Sequence, residues 1–159
     1  MHEDLLDFEA IRLLKAQYCR LCDTRQWDAL FELFAEDAIF GTPESAPRAE
    51  NDVSRAYKVG YSCGRQAIRD IFVGMADSID AMVHIAHTPE LKITSADTAT
   101  GIWQLEDLFW YNSGPIKRFH GYGHYHDGYI REGGVWRFKE VSVTRLHIES
   151  VPFDASPPE

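Results

Sequence analysis

The second half of the chain narrows the possible folds most. From residue 79 it reads as four long strands, about 81–94, 98–111, 117–131 and 134–149, and the breaks are Ser95-Ala96-Asp97, Asn112-Ser113-Gly114-Pro115 and Gly133-Gly134. Such breaks are turn chemistry, and connections this short join antiparallel neighbours. A four-stranded meander of this length has one face to bury, so its cover has to come from the residues before it.

That cover is helical. Phe8, Ile11, Leu14, Tyr18, Leu21 and Cys22 recur at threes and fours and predict a helix over 4–24. A second helix is expected from Trp27 to about Ala35, then a short strand Ala38-Ile39-Phe40. A third is expected from Arg65 to Ala76, with Ile68, Ile71, Phe72 and Met75 on one side. Between them, 41–64 is polar and broken by Pro and Gly, and reads as a loop or lid. Helices first and hairpin-connected strands after is an α+β pattern with an antiparallel sheet. The expectation is one domain over 1–159, with 1–6 and 151–159 as tails.

Composition limits the partners. A chain of 159 residues with 45% hydrophobic content supplies one sizeable core. Its 25 acids against 16 bases give a formal charge of −9, which disfavours nucleic acid and anionic membrane surfaces as partners. A small apolar or aromatic substrate is the expected ligand. No apolar run approaches a membrane span, and the opening MHEDLLDFEAIRLL carries acids where a secretion signal carries bases, so a cytoplasmic location is expected. Cys19, Cys22 and Cys63 are an odd set without a secretion signal, so a disulfide framework is not expected, and Cys19-x-x-Cys22 lies inside a helical pattern, so that pair reads as small buried residues. Open sheet edges and the aromatics Trp110, Tyr111 and Tyr125, read as outward, predict a homodimer or homotrimer.

Polar side chains that fall on apolar strand faces are the candidates for chemistry. Asp107 shares a face with Trp103, Leu105 and Phe109, and Arg145 shares one with Val141 and Val143. Each is costly there unless paired. His84 and His87 fall on opposite faces of a regular strand, and the apolar residues on both sides do not choose between them. In the third strand His120, Tyr122, His124 and His126 lie on one face and Tyr125, Asp127 and Tyr129 on the other. Alternate histidines are a metal pattern, but one strand face seldom supplies three ligands at tetrahedral angles, and pocket or interface lining is the expected role. Asp23 ends the first helix, where the dipole disfavours an acid. It is either a solvated or capping acid or one turned inward to a cation.

The segments YCRLCD (18–23), HIAHTPEL (84–91), TATGIWQLED (98–107), GYGHYHDGY (121–129) and VTRLH (143–147) together resemble the SnoaL-like branch of the nuclear transport factor 2-like superfamily, and within it bile acid 7α-dehydratase and scytalone dehydratase. The resemblance implies a cone-shaped roll of curved antiparallel sheet covered by about three N-terminal helices around a deep pocket. It also implies a catalytic set of Tyr18, Asp23 and His84, with Asp107, His120 and Arg145 lining the substrate site, and it selects His84 over His87. His120 stands where these dehydratases carry an asparagine, and 41–64 matches little. The implied reaction is cofactor-independent loss of water from a bulky apolar hydroxy-ketone or thioester, with no metal. Isomerisation or cyclisation by the same dyad, or noncatalytic ligand binding or assembly, are the alternatives.

Overall fold

The computed structural model describes residues 2–42, 50–53 and 61–153. Among these, the elements run α1 (His2–Asp23), α2 (Trp27–Phe31), β1 (Phe34–Phe40), β2 (Ser62–Cys63), α3 (Arg65–Ala76), β3 (Ile79–Ser95), β4 (Thr98–Tyr111), β5 (Ile116–Glu132) and β6 (Val135–Pro152). The six strands form one curved, unclosed sheet in the order β2-β1-β6-β5-β4-β3. The expected α+β class and the four-strand meander are present.

The departures have local causes. Helix α1 begins at His2, so residues 2–6 are helix rather than tail. Helix α2 stops at Phe31 because Phe34 and Ala35, both fully buried, already belong to β1, and the Leu33 carbonyl accepts the Phe138 N–H at 2.8 Å. Strand β1 is therefore longer than Ala38–Phe40, and it pairs parallel to β6, so the sheet is mixed rather than wholly antiparallel. Strand β6 runs on to Pro152, which pairs with Ile116 at the strand's last position, where a missing N–H is tolerated. Within 41–64, Ser62 and Cys63 pair with Phe40 and Ile39. The Asp52 carboxylate and Val53 N–H bond the Arg145 backbone N–H and carbonyl, each at 2.9 Å. Residues 43–49 and 54–60 and the end of the predicted C-terminal tail lie outside the described residues.

Alternation along the strands decides what faces α1. In β4 and β5 the residues Ala99, Trp103, Leu105, Asp107, Phe119, Tyr125, Asp127 and Tyr129 are buried, with more exposed residues between them. Their inner face packs with Ile11, Leu14, Tyr18, Leu21 and Cys22 of α1 in one core. Phe34 and Phe138 both sit edge-on against Tyr18, at 6.2 and 5.4 Å between ring centroids. Tyr125 and Tyr111 therefore point inward, and of the three aromatics read as outward only Trp110 alternates to the other side. No described helix is long and apolar enough to cross a membrane.

Two further features place the site. Helix α1 ends in a reversal with Gln26 N–H on the Leu21 carbonyl (2.9 Å) and Arg25 N–H on the Cys22 carbonyl (3.0 Å), and Arg25 sits in the left-handed region at φ 56°. The Arg25 guanidinium donates to the carbonyls of Ile79 and Asp80, which ties the helix end to the start of β3. On β6 one extra residue, Leu146, is accommodated between the pairs Tyr122–His147 and Gly123–Arg145. Gly123 makes that possible, since a Cβ there would meet the Thr144 carbonyl. Gly123→Ala is expected to lower stability by about 1–3 kcal/mol or more. Gly128→Ala, whose Cβ would meet the Glu140 Cβ at 3.4 Å and its backbone nitrogen at 3.8 Å, should stay within about 0.5 kcal/mol. Urea unfolding of the two variants side by side checks the contrast.

Candidate active site

The helix reversal sets Asp23 beside β3. Its carboxylate accepts the His84 backbone N–H at 3.0 and 3.1 Å and the His84 ring at Nδ1, 2.6 Å away. One acid thus holds both the strand and the imidazole of the same residue. The proton on Nδ1 faces Asp23, and Nε2 is the nitrogen left to exchange a proton with a ligand. The His84 side chain is 7% exposed. Burial weighs against a charged ring, but Cys22, the Asp23 carboxylate and Asp107 outweigh it and raise the imidazolium to about 10.

Tyr18 lies on the buried stripe of α1, and its ring meets that of His84 edge-on at 6.3 Å. Burial pushes its phenol well above the ordinary range, so it stays a proton donor at neutral pH. Phe109 closes the other side of the imidazole, edge-on at 5.4 Å.

A second charged pair continues the row across the sheet. His84 pairs with Asp107 on the neighbouring strand, and Asp107 with Gly121 on the next. The Asp107 carboxylate passes over Gly121 to meet the Arg145 guanidinium in a bidentate pair, 2.6 Å at each contact. Both side chains are buried. A Cβ on Gly121 would meet Arg145 Nη1, Asp107 Oδ1 and the Phe119 ring, so glycine is the residue that lets the pair form.

The structure brings together five of the six residues named from sequence: Tyr18, Asp23, His84, Asp107 and Arg145. His120 is the exception. It alternates to the outer face of β5, where Nε2 meets Glu106 at 3.1 Å and its ring stacks on Tyr122 at 4.2 Å. His87 reaches the same Glu106 from β3, also at 3.1 Å. Strand alternation gives the reason, because Phe119 and Gly121 on either side of His120 face inward. Among the described residues no group of three or more His, Cys, Asp or Glu is arranged to hold a metal ion.

Sequence reasoning missed Lys15 and Asp127, a fully buried ion pair 2.9 Å apart. The signal was present, since Ile11, Lys15, Tyr18 and Cys22 fall on one stripe at helical spacing, and a lysine there has to find an acid.

Comparison with known proteins shows the family and the fold. The model of the SnoaL-like domain matches residues 3–142. The chain belongs to that family. A probable cyclase of Gibberella zeae, FGR4, is 24% identical over 146 residues, which cover 86% of this chain and 89% of the relative. A scytalone dehydratase-like protein of Novosphingobium aromaticivorans superposes with a TM-score of 0.78 at 17% identity, over 99% of this chain and 100% of the other. The type 3 hexachlorocyclohexane dehydrochlorinase LinA of Novosphingobium barchaimii gives 0.73 at 21% identity, over 98% and 97%. These structures place the SnoaL-like chain in the cystatin-like or nuclear transport factor 2-like fold.

Two outcomes follow from the geometry. Gly121→Ala should break the bidentate pair and cost about 1–3 kcal/mol in thermal or urea unfolding. For His84 the folded value, about 10, lies above the unfolded value near ~6.5, so its contribution to stability is fully present below the unfolded value and is lost as pH rises through the folded one. The stability gap between the wild type and Asp23→Asn should therefore be widest below about pH 6.5 and shrink as pH rises toward 10, measured by urea unfolding across that range.

Proposed function

We propose that this SnoaL-like protein is a cofactor-independent lyase that removes water from a bulky, apolar hydroxy-ketone or a related thioester. The observation that carries the reading is the double hold of Asp23 on His84, with the protonated Tyr18 ring against the imidazole. In its neutral form His84 takes a proton from carbon next to the substrate carbonyl at Nε2, and Asp23 stabilises the imidazolium that results. The electrons move toward the carbonyl oxygen, where the Tyr18 hydroxyl donates to the growing negative charge. Collapse of the enolate expels the β or vinylogous hydroxide, which takes its proton from the imidazolium or from Tyr18 and leaves as water. Arg145 and Asp107 line the same inner row and orient the carbonyl end.

The raised His84 value has a kinetic consequence. Because the base form is the minor one at neutral pH, kcat/KM should rise about tenfold per pH unit and level off near 10. Asp23→Asn removes the acid beside Nδ1, so the rise should move toward lower pH while the plateau falls. The assay is absorbance of a new conjugated enone from β-hydroxy ketones. His84→Ala should lose about 10²- to 10⁴-fold in rate, and unchanged turnover in both variants sinks the assignment.

The probable cyclase among the relatives favours a second reading, in which the same dyad makes the enolate and an internal carbon, rather than water loss, consumes it. That reading predicts deuterium uptake at the α-carbon, or ring closure, without an enone.

A further inference from the structure

Lys15 has no part in the mechanism above, yet it occupies the centre of the protein. Its ammonium lies 2.9 Å from Asp127 Oδ2 on β5, and the two side chains are 1% and 0% exposed. The same nitrogen sits 3.3 Å from the centroid of the Tyr125 ring and 4.8 Å from that of Tyr18. Tyr18 and Tyr125 meet edge-on at 6.0 Å, and Tyr18 in turn meets His84 at 6.3 Å. Asp127 is steadied from behind, since Tyr129 donates its hydroxyl to Oδ2 and the Trp103 indole donates to the Tyr129 oxygen, both at 2.8 Å.

Stability alone does not account for the pair. A buried ion pair replaced by apolar side chains of similar volume often leaves a protein as stable or more so. This pair is also incompletely satisfied, because Lys15 Nζ makes no well-directed hydrogen bond and Asp127 Oδ1 has no partner. Its effect in this position is directional. An ammonium is drawn to the faces of aromatic rings, and this one touches the tyrosine that meets the proposed base and the tyrosine beside it.

We infer that Lys15, held by Asp127, is a positioning residue whose ammonium seats the Tyr18 and Tyr125 rings and so fixes Tyr18 against His84. As a role in catalysis this rests on the reaction proposed above. As a statement about ring placement it does not. Met in place of Lys15 keeps the length and removes the charge, and Asn in place of Asp127 removes the charge left behind.

The test uses the full chain with Lys15→Met/Asp127→Asn, and Tyr18→Phe as a reference. The expected result is an unchanged or raised melting temperature, with loss of the nuclear Overhauser contact between the Tyr18 and His84 rings. With a β-hydroxy ketone as probe, kcat should fall at least about tenfold with KM within about twofold. A variant that keeps both the ring contact and kcat overturns the inference. So does one that only melts lower, since that is what a structural role predicts. If the wild type turns over no ketone, the proposed reaction fails and the ring contact alone decides the inference. If the variant does not fold, the unmutated protein decides. The shielded ζ protons of Lys15 should show Overhauser contacts to both tyrosine rings, and their absence overturns the inference.

Discussion

The reaction proposed for this protein depends on one carboxylate at the end of one helix. An acid at a helix C-terminus faces the negative pole of the backbone dipole, a cost of a few tenths to ~1 kcal/mol at an exposed position. Asp23 offsets it by accepting two N–H groups from a single residue of β3. The backbone contact fixes how far α1 advances along the strand, and the ring contact fixes the tautomer of His84. The same bond that docks the helix thus prepares the base, so the site and the fold share a constraint.

The inner face of the sheet is an aromatic core carrying three buried or nearly buried ion pairs: Asp23 with His84, Asp107 with Arg145, and Asp127 with Lys15. Each cation has its own acid, so the charges cancel locally rather than leaving a net field. Such an interior suits a neutral, apolar ligand on which charge develops only during reaction, since the paired groups are already oriented and mostly shielded from water. The glycines of β5 belong to the same design. At Gly121 the absence of a Cβ gives the Asp107–Arg145 pair its path across the strand, and at Gly123 it admits the extra residue of β6.

Membership of the SnoaL-like family does not by itself choose the reaction. The relatives include a probable cyclase and dehydratase- or dehydrochlorinase-type proteins on one scaffold. Which bond breaks depends on the ligand's own leaving group.

Much of this was legible in the sequence, because it follows from local periodicity. Threes and fours placed Tyr18 on the buried face of α1, alternation placed Asp107 and Arg145 on the buried face of the sheet, and turn chemistry gave the meander. Alternation set His120 on the face opposite Tyr125 and Asp127, but only the structure shows that the Tyr125 face is the buried one. The selection of the other five came from likeness to a family, as spacing alone left His84 and His87 equivalent. Tertiary structure decided the rest. The parallel pairing of β1 with β6, the meeting of Asp23 with His84 across 61 residues, and the burial of Lys15 against Asp127 are contacts between distant segments. Periodicity tells which way a side chain points. Register, bulges and helix docking set what it meets, and those depend on packing between segments that no local stretch contains.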